Sequence, residues 1–203
     1  MGIAERRENE VKSMKQSILD AAMELFIDQG YENVSIRKIA AKISYSPGTI
    51  YLYFKEKSEI LYALQEIGLG KLFEKQLSVQ NIEDPFDRLK AHARAYIDFA
   101  FQNHEYYELM FISTACLNIM NDKTEWESSN RSLRILVNNV IQCQEIGYFP
   151  NRDPRQVAFY LWSLVHGVAS LEICRNVLLL KRHGFSIEET IDSVIDMLEF
   201  FKK

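Results

Sequence analysis

The chain has 203 residues and a mass of 23.7 kDa, with 24 Lys and Arg against 28 Asp and Glu, a formal net charge of −4. Apolar residues at 47% and charged residues at 26% are those of an ordinary globular protein and exclude a disordered chain, a collagen and a disulfide scaffold. Eight Gly and four Pro disfavour a turn-rich all-β fold, and the mildly acidic balance excludes a uniformly basic nucleic-acid coat while leaving room for a local basic patch.

In chain order, Met1 to Glu10 is charged and has no apolar h-region, so no secretion signal is expected. Ile18, Ala21, Ala22, Leu25 and Phe26 recur at helical spacing, and Gly30 follows as a stop. Ser35 can cap a short helix carrying Ile36, Ile39, Ala40 and Ile43. Ser46 followed by Pro47 starts another, with a hydroxyl at the N-cap and a proline where its missing N–H costs nothing. That helix must be short, because a further one begins near Lys57 with Ile60, Leu61 and Leu64 on one face. Asp84-Pro85 and Asp153-Pro154 repeat the cap-plus-proline device, and Asp122 with Glu125 opens a helix near Lys123. Lys181, Arg182 and His183 complement the dipole of the helix that stops at Gly184. Ser186 with Glu189 makes a capping box ahead of Ile187, Ile191, Val194, Ile195 and Leu198. No segment alternates as a strand would, so the pattern predicts an all-α fold of about nine helices.

The helices are short and tightly connected through residues 1–56 and long and apolar over 57–203, which sets the expected domain division. A helix from about Pro154 to Arg182 is apolar nearly all round at its start, which calls for burial in a core on one face and in a subunit interface on another. Its apolar run, Val157 to Ala169, is interrupted by Ser163, His166 and Gly167 and is shorter than the roughly 20 residues of a membrane span. Cys116, Cys143 and Cys174 are odd in number and far apart, which argues against disulfides and a Cys-rich zinc site. The expectation is a cytoplasmic protein with no cofactor and no metal.

The stretch Ser35 to Lys57 carries the functional signal. Two short helices joined by a turn of three or four residues make helix-turn-helix geometry. Between Asn33 and Lys57, five cations (Arg37, Lys38, Lys42, Lys55 and Lys57) oppose Glu56 alone, a net charge of +4 that leaves −8 for the remainder. Phosphate attraction is thereby localised on this module. At the start of the second helix, Pro47, Gly48 and Thr49 offer the positive end of the helix dipole to phosphate, and Gly48 permits close backbone approach. Ser46 and Thr49 can bond phosphate oxygens or base edges, while Tyr51, Leu52 and Tyr53 can touch thymine methyls, sugars and phosphates. Phe54 reads as core, and Tyr51 is as well explained by packing as by contact with DNA.

These residues fall in a recognisable register. Ile18-Leu19-Asp20-Ala21-Ala22, Leu25-Phe26, Gly30-Tyr31, Ser35-Ile36, Ile39-Ala40, Ser46, Gly48-Thr49-Ile50-Tyr51, Tyr53-Phe54, Lys57 and Leu61 resemble the DNA-binding module of the tetracycline-repressor (TetR) family of bacterial transcription regulators. The resemblance implies that Arg37 contacts phosphate or a base edge and that Pro47, Gly48, Thr49, Tyr51, Leu52 and Tyr53 belong to the recognition helix. Lys57 would contact phosphate, with Thr49 and Tyr53 as fellow anchors and Lys55 gripping the backbone beyond. Two places depart from the family pattern. Ile43-Ser44-Tyr45 replaces a small residue, Gly and an aliphatic, putting Ser44 where positive φ is needed and Tyr45 where it is more exposed. Glu56 replaces a small capping residue.

Further along, Asn103 to Phe111 resembles a segment of the family's ligand-binding domain, with Glu105 where proline is frequent, and Trp162 with His166-Gly167 resembles a C-terminal signature. The family therefore implies a homodimer on a palindromic operator, paired through the last two helices, and a small-molecule effector of unknown identity, apolar or aromatic. Val157, Leu161, Leu164, Val168, Leu171, Ile191, Ile195 and Leu198 divide between the core and that interface. Tyr96, Phe99, Tyr107, Phe111, Trp126, Trp162 and His166 are the candidate effector contacts, each also readable as core. A bound effector would act by favouring a spacing of the two recognition helices that does not fit DNA. No P-loop, G-x-G-x-x-G, G-x-S-x-G, zincin or Glu-x-x-His motif is present, so an enzyme is not expected. The competing class is a dimeric helical carrier or interaction module that keeps the helix-turn-helix as scaffold.

Overall fold

A computed structural model describes residues 2–113, 127–174, 184 and 186–202. Among these residues nine α-helices follow one another: α1 (Ile3–Gln29), α2 (Ile36–Lys42), α3 (Pro47–Tyr51), α4 (Lys57–Leu77), α5 (Pro85–Gln102), α6 (His104–Tyr107), α7 (Glu127–Glu145), α8 (Pro154–Ile173) and α9 (Ile187–Asp196). A turn of π-helix, Glu108–Ile112, continues α6, and 3-10 turns cover Tyr31–Asn33 and Met197–Phe201. The described residues contain no strand, only one isolated bridge between Tyr148 and Lys202.

Helix starts follow from local side-chain chemistry. Ser35 Oγ accepts from the Lys38 N–H, Ser46 Oγ from Thr49, Asp84 from Phe86 and Asp87, Asp153 from Arg155 and Ser186 Oγ from Glu189. Each bond satisfies a backbone donor that the first helical turn leaves unpaired. α4 begins without a small cap at Glu56; instead the Glu59 carboxylate reaches back to accept the Lys55 N–H at 2.6 Å. Gly30 and Gly184 take φ of 77° and 80°, the left-handed side expected of stop glycines. The expected helix start near Lys123 and the basic cluster Lys181 to His183 lie outside the described residues. α8 ends at Ile173 with Cys174 as its cap, earlier than Arg182, at a point where the chain carries neither glycine nor proline.

Contacts divide the chain into two compact units. The first holds residues 2–68 and the segment that begins at Glu105; the second holds Leu69–His104 and the helices from α7 onward. In the first, Ile18, Ala22, Leu25 and Phe26 of α1 pack with Ile39 and Ala40 of α2, Ile50 of α3, and Ile60, Leu61 and Leu64 of α4. The second buries Phe86 and Leu89 of α5, Leu136, Val140 and Cys143 of α7, Val157, Ala158 and Leu161 of α8, and Leu198. There, Arg88 is buried and donates to Asn139 Oδ1, Gln142 Oε1 and the carbonyls of Ile82 and Glu83, tying the approach to α5 onto α7. Among the described residues no helix is long and apolar enough to cross a membrane.

Candidate nucleic-acid interface

The turn between α2 and α3 is set by Ser44, which sits at φ 59°. The Tyr45 N–H donates to Ala40 O at 2.9 Å and the Ser44 N–H to Ala41 O at 3.1 Å, the paired bonds of a Schellman stop. This re-aims the chain into α3 and leaves Tyr45 half exposed. α3 then turns Ile50 fully inward, with Phe54 buried just beyond it, which fixes the opposite face outward. On that outward face Leu52 is 81% and Tyr51 54% exposed, so Tyr51 is not a core residue. Tyr53 is half-buried against the first core.

At the start of α3 the Ser46 and Thr49 hydroxyls lie 3.1 Å apart, both at the surface region the dipole makes positive. A Cβ built on Gly48 would meet only Ser46 Oγ, at 3.5 Å. Folding does not require glycine at that point; what its bare Cα gives is an open approach to the helix end.

The five cations are not equivalent. Arg37 and Lys55 are exposed and in no ion pair among the described residues. Lys42 pairs with Glu24 of α1, and Lys38 Nζ donates to Gln29 Oε1 at 2.7 Å and Asn33 O at 3.0 Å. Lys57 is half-buried: its Nζ donates to Tyr31 O at 2.7 Å and Val34 O at 2.9 Å and lies 3.9 Å from the centre of the Tyr31 ring. Burial lowers the Lys57 pKa, partly offset by Glu32, and raises that of Tyr31. Two of its three N–H donors are thus engaged within the fold. The charge count over the sequence shows none of this, because Tyr31 and Val34 are 26 and 23 residues away.

The candidate effector residues separate into two groups. In the second unit, Trp162 Nε1 donates to Tyr96 Oη at 3.2 Å, and the same hydroxyl lies 3.0 Å from His166 Nδ1. Burial lowers the His166 pKa, which favours the neutral ring and lets Nδ1 accept the hydroxyl proton. Phe99 is fully buried one turn further along α5. In the first unit, Tyr107 is fully buried and packs edge-on against Phe111 at 5.2 Å. Trp126 lies outside the described residues. His92, not singled out in the sequence, is buried with no hydrogen-bond partner on either ring nitrogen among the described residues. Its place one turn from both Arg88 and Tyr96 is the signal that could have found it. Cys143 is buried and donates to Pro85 O, and burial pushes its pKa to about 12, so it is no redox thiolate.

The candidate interface residues sort themselves by packing. Val157, Leu161, Ile191, Ile195 and Leu198 are buried within their own unit, while Leu171 is exposed. Leu164 and Val168 are half-buried.

A helix-turn-helix with an exposed second helix, capped by hydroxyls and joined to a larger helical unit, is the architecture of a DNA-binding transcription regulator. Comparison with known families carries this further. Residues 18–64 match the family of bacterial regulatory proteins called tetR, and residues 89–198 match the tetracyclin repressor-like C-terminal domain. The second match alone spans more than half of the chain, and the protein belongs to the TetR family. It is 27% identical over 177 residues to an uncharacterized HTH-type transcriptional regulator, YobS, of Bacillus subtilis, covering 87% of this chain and 84% of that one. It is 41% identical to the fatty acid metabolism regulator protein of Bacillus subtilis, over 58 residues that make up 29% of this chain and 30% of that one. The fold is shared with the fatty acid degradation regulator FadR of Bacillus halodurans, with a TM-score of 0.71 at 22% identity, covering 91% and 93% of the two chains.

Proposed function

We propose that this regulator is a ligand-responsive repressor that binds a palindromic operator as a homodimer in the cytoplasm. The observation that carries the reading is α3: its apolar side is locked inward by Ile50 while Tyr51 and Leu52 stand exposed beside Ser46, Gly48 and Thr49. Nothing in the first core requires an exposed Leu52, and a major groove offers thymine methyls to it. Arg37, Ser46, Pro47, Gly48, Thr49, Tyr51, Leu52, Tyr53, Lys55 and Lys57 form the DNA surface. Residues 1–56 act as the DNA-binding part and 57–203 as the effector and dimerisation part. The regulator has no catalytic role.

Dimerisation is supported by exposed apolar side chains on α8 and on the turn that follows α9. Phe159 and Tyr160 of α8, Leu171, and Met197 and Phe200 beyond α9 are all exposed, Phe200 at 84%. Tyr160 and Phe200 also line an open cleft of 610 Å³ with Phe149 and Arg152. A surface of this kind is what an isologous partner covers.

The effector is a small apolar or aromatic molecule that meets the Tyr96, Trp162 and His166 network, with Phe99 behind it. Similarity to the fatty acid metabolism regulator covers 58 residues, 29% of this chain, and is no argument for a particular effector. α4 carries Ile60, Leu61 and Leu64 of the first core, and its buried Leu69 and Leu72 belong to the second unit, so the chain passes from the recognition module to the effector part along this one helix. The test is binding of the purified protein to the DNA that flanks its own gene, across a salt series. Saturable binding by a dimer that survives competitor DNA supports the reading; weak binding to every duplex alike defeats it.

A further inference from the structure

α1 is far longer than the core it serves. From Ala4 onward its first buried residue is Ile18, so residues 3–17 form a helical rod of about 22 Å ahead of it. From Ala4 to Ser17 only Met14 is even half-buried. Two ion pairs of i, i+4 spacing, Arg6 with Glu10 and Lys12 with Glu8, hold the rod in helical form. Arg7 and Lys15 are in no ion pair among the described residues.

The placement of those two cations is specific. Arg7, Val11, Met14 and Lys15 fall within a stripe of about 100° that also contains Ile18, so the stripe continues the face by which α1 packs on the helix-turn-helix. Glu5, Glu8 and Glu10 all lie off that stripe. Lys15 Nζ stands 5.9 Å from the centre of the Phe54 ring, next to Tyr53 and Lys55 of the DNA surface. The rod therefore leaves the core beside the end of the recognition module with uncompensated positive charge on the continuing face.

We propose that this stripe of α1 is a second DNA contact, with Arg7 and Lys15 gripping phosphates that flank the half-site read by α3. Charge complementarity selects the occupant: two cations with no carboxylate paired to them among the described residues, spaced along a helix, suit a polyanionic backbone, and the apolar side chains of Val11 and Met14 between them can lie against deoxyribose. The inference rests on the DNA-binding reading of α3 and extends the footprint outward from it. Because phosphate contacts carry no base information, the rod adds affinity and not sequence choice.

The test uses the full chain and a 40-base-pair duplex of mixed sequence, with the dependence of log K on log salt measured for wild type, Arg7→Ala/Lys15→Ala and Arg6→Ala/Lys12→Ala. Alanine is the best helix former, so all three proteins keep the rod, which circular dichroism checks. Each lost phosphate contact lowers the slope by about 0.9, so the first variant is expected to lose about 1.8 per bound subunit. The second variant, whose cations are already paired, is expected to keep the wild-type slope. Equal slopes for wild type and the first variant overturn the proposal, as does an equal loss in both variants, which reports net charge only. Failure of the wild type to bind any duplex would instead bring down the DNA-binding reading itself.

Discussion

The ammonium of Lys57 is bound to the backbone of Tyr31, donating to its carbonyl at 2.7 Å while lying 3.9 Å from the centre of its ring. With a further bond to Val34 O, this joins the first residue of α4 to the turn that precedes α2, so the lysine holds the recognition module in place. Hydrogen bonds to a charged group contribute about 1.5–3 kcal/mol net. Lys57→Ala should therefore lower the unfolding free energy by about 2 kcal/mol in urea denaturation. With the third N–H donor on phosphate, as proposed, the same variant should reduce the salt slope of DNA binding by about 0.9 per subunit. A stability loss with an unchanged slope would mean that the lysine is purely a staple.

His92 makes stability depend on pH. Burial lowers its pKa from 6.5 to about 4, so between these values the unfolded chain binds a proton that the folded chain refuses. Stability from this group is complete above about pH 6.5 and is lost as the pH falls toward 4. At 1.36 kcal/mol per unit, the loss between pH 7.5 and pH 5 is about 2 kcal/mol. Denaturant unfolding at the two pH values should show that difference in the wild type and a smaller one in His92→Leu. An equal pH dependence in both proteins would place the titration on other groups; His166, lowered in the same direction, is the first to examine.

What the sequence disclosed and what it hid divide by range. The caps at Ser35, Ser46, Asp84, Asp153 and Ser186 are bonds within three residues, so the local pattern was enough to place five helix starts. The positive φ of Ser44 was legible for the same reason: a stop is needed there and no glycine supplies it. The bonds that hold Lys57 and Lys38 were hidden because their partners, backbone carbonyls and the Gln29 amide, carry no signature in a sequence. α8 resisted sorting because its buried positions Val157, Leu161 and Val165 and its exposed positions Phe159, Tyr160 and Leu171 are all apolar. Periodicity separates apolar from polar faces and is silent when both faces are apolar.

Gly68 is a packing requirement that no motif announces. A Cβ there would meet Met110 Sδ at 2.5 Å and the Tyr106 Cβ and Cδ1 at 3.1 and 3.2 Å. The same side of α4 carries the buried Gln65, whose Nε2 donates to Leu109 O at 2.9 Å within the π-helical turn. In that turn the Ser113 N–H bonds to Glu108 O, five residues back. Gly68→Ala gains about 1 kcal/mol of helix propensity but overpacks a contact whose cost is about 1–3 kcal/mol. The expected result is a net destabilisation of about 1 kcal/mol and a fall in Tm of about 2–4 °C by calorimetry. A raised Tm would show that the π-helical turn shifts freely away from α4.

Phe159 tests the dimer. It is 64% exposed on α8, on the face opposite the buried Val157, Leu161 and Val165, and so contributes little to its own unit. In an isologous interface it is buried twice, once from each subunit, and each burial contributes about 1.5–3 kcal/mol. Phe159→Asp removes that twice and sets two carboxylates in an apolar contact. Sedimentation should then find a monomer at micromolar concentration, with a melting curve for the separated chain that still shows a cooperative fold. Binding to a palindromic operator should weaken on the order of 100-fold or more, because one recognition helix no longer brings the second with it. Weak binding to non-specific duplex should change much less, since the cations of each subunit are untouched. A variant that remains dimeric would place the interface on another surface of the last two helices, and Phe200→Asp distinguishes the part of that surface beside the cleft.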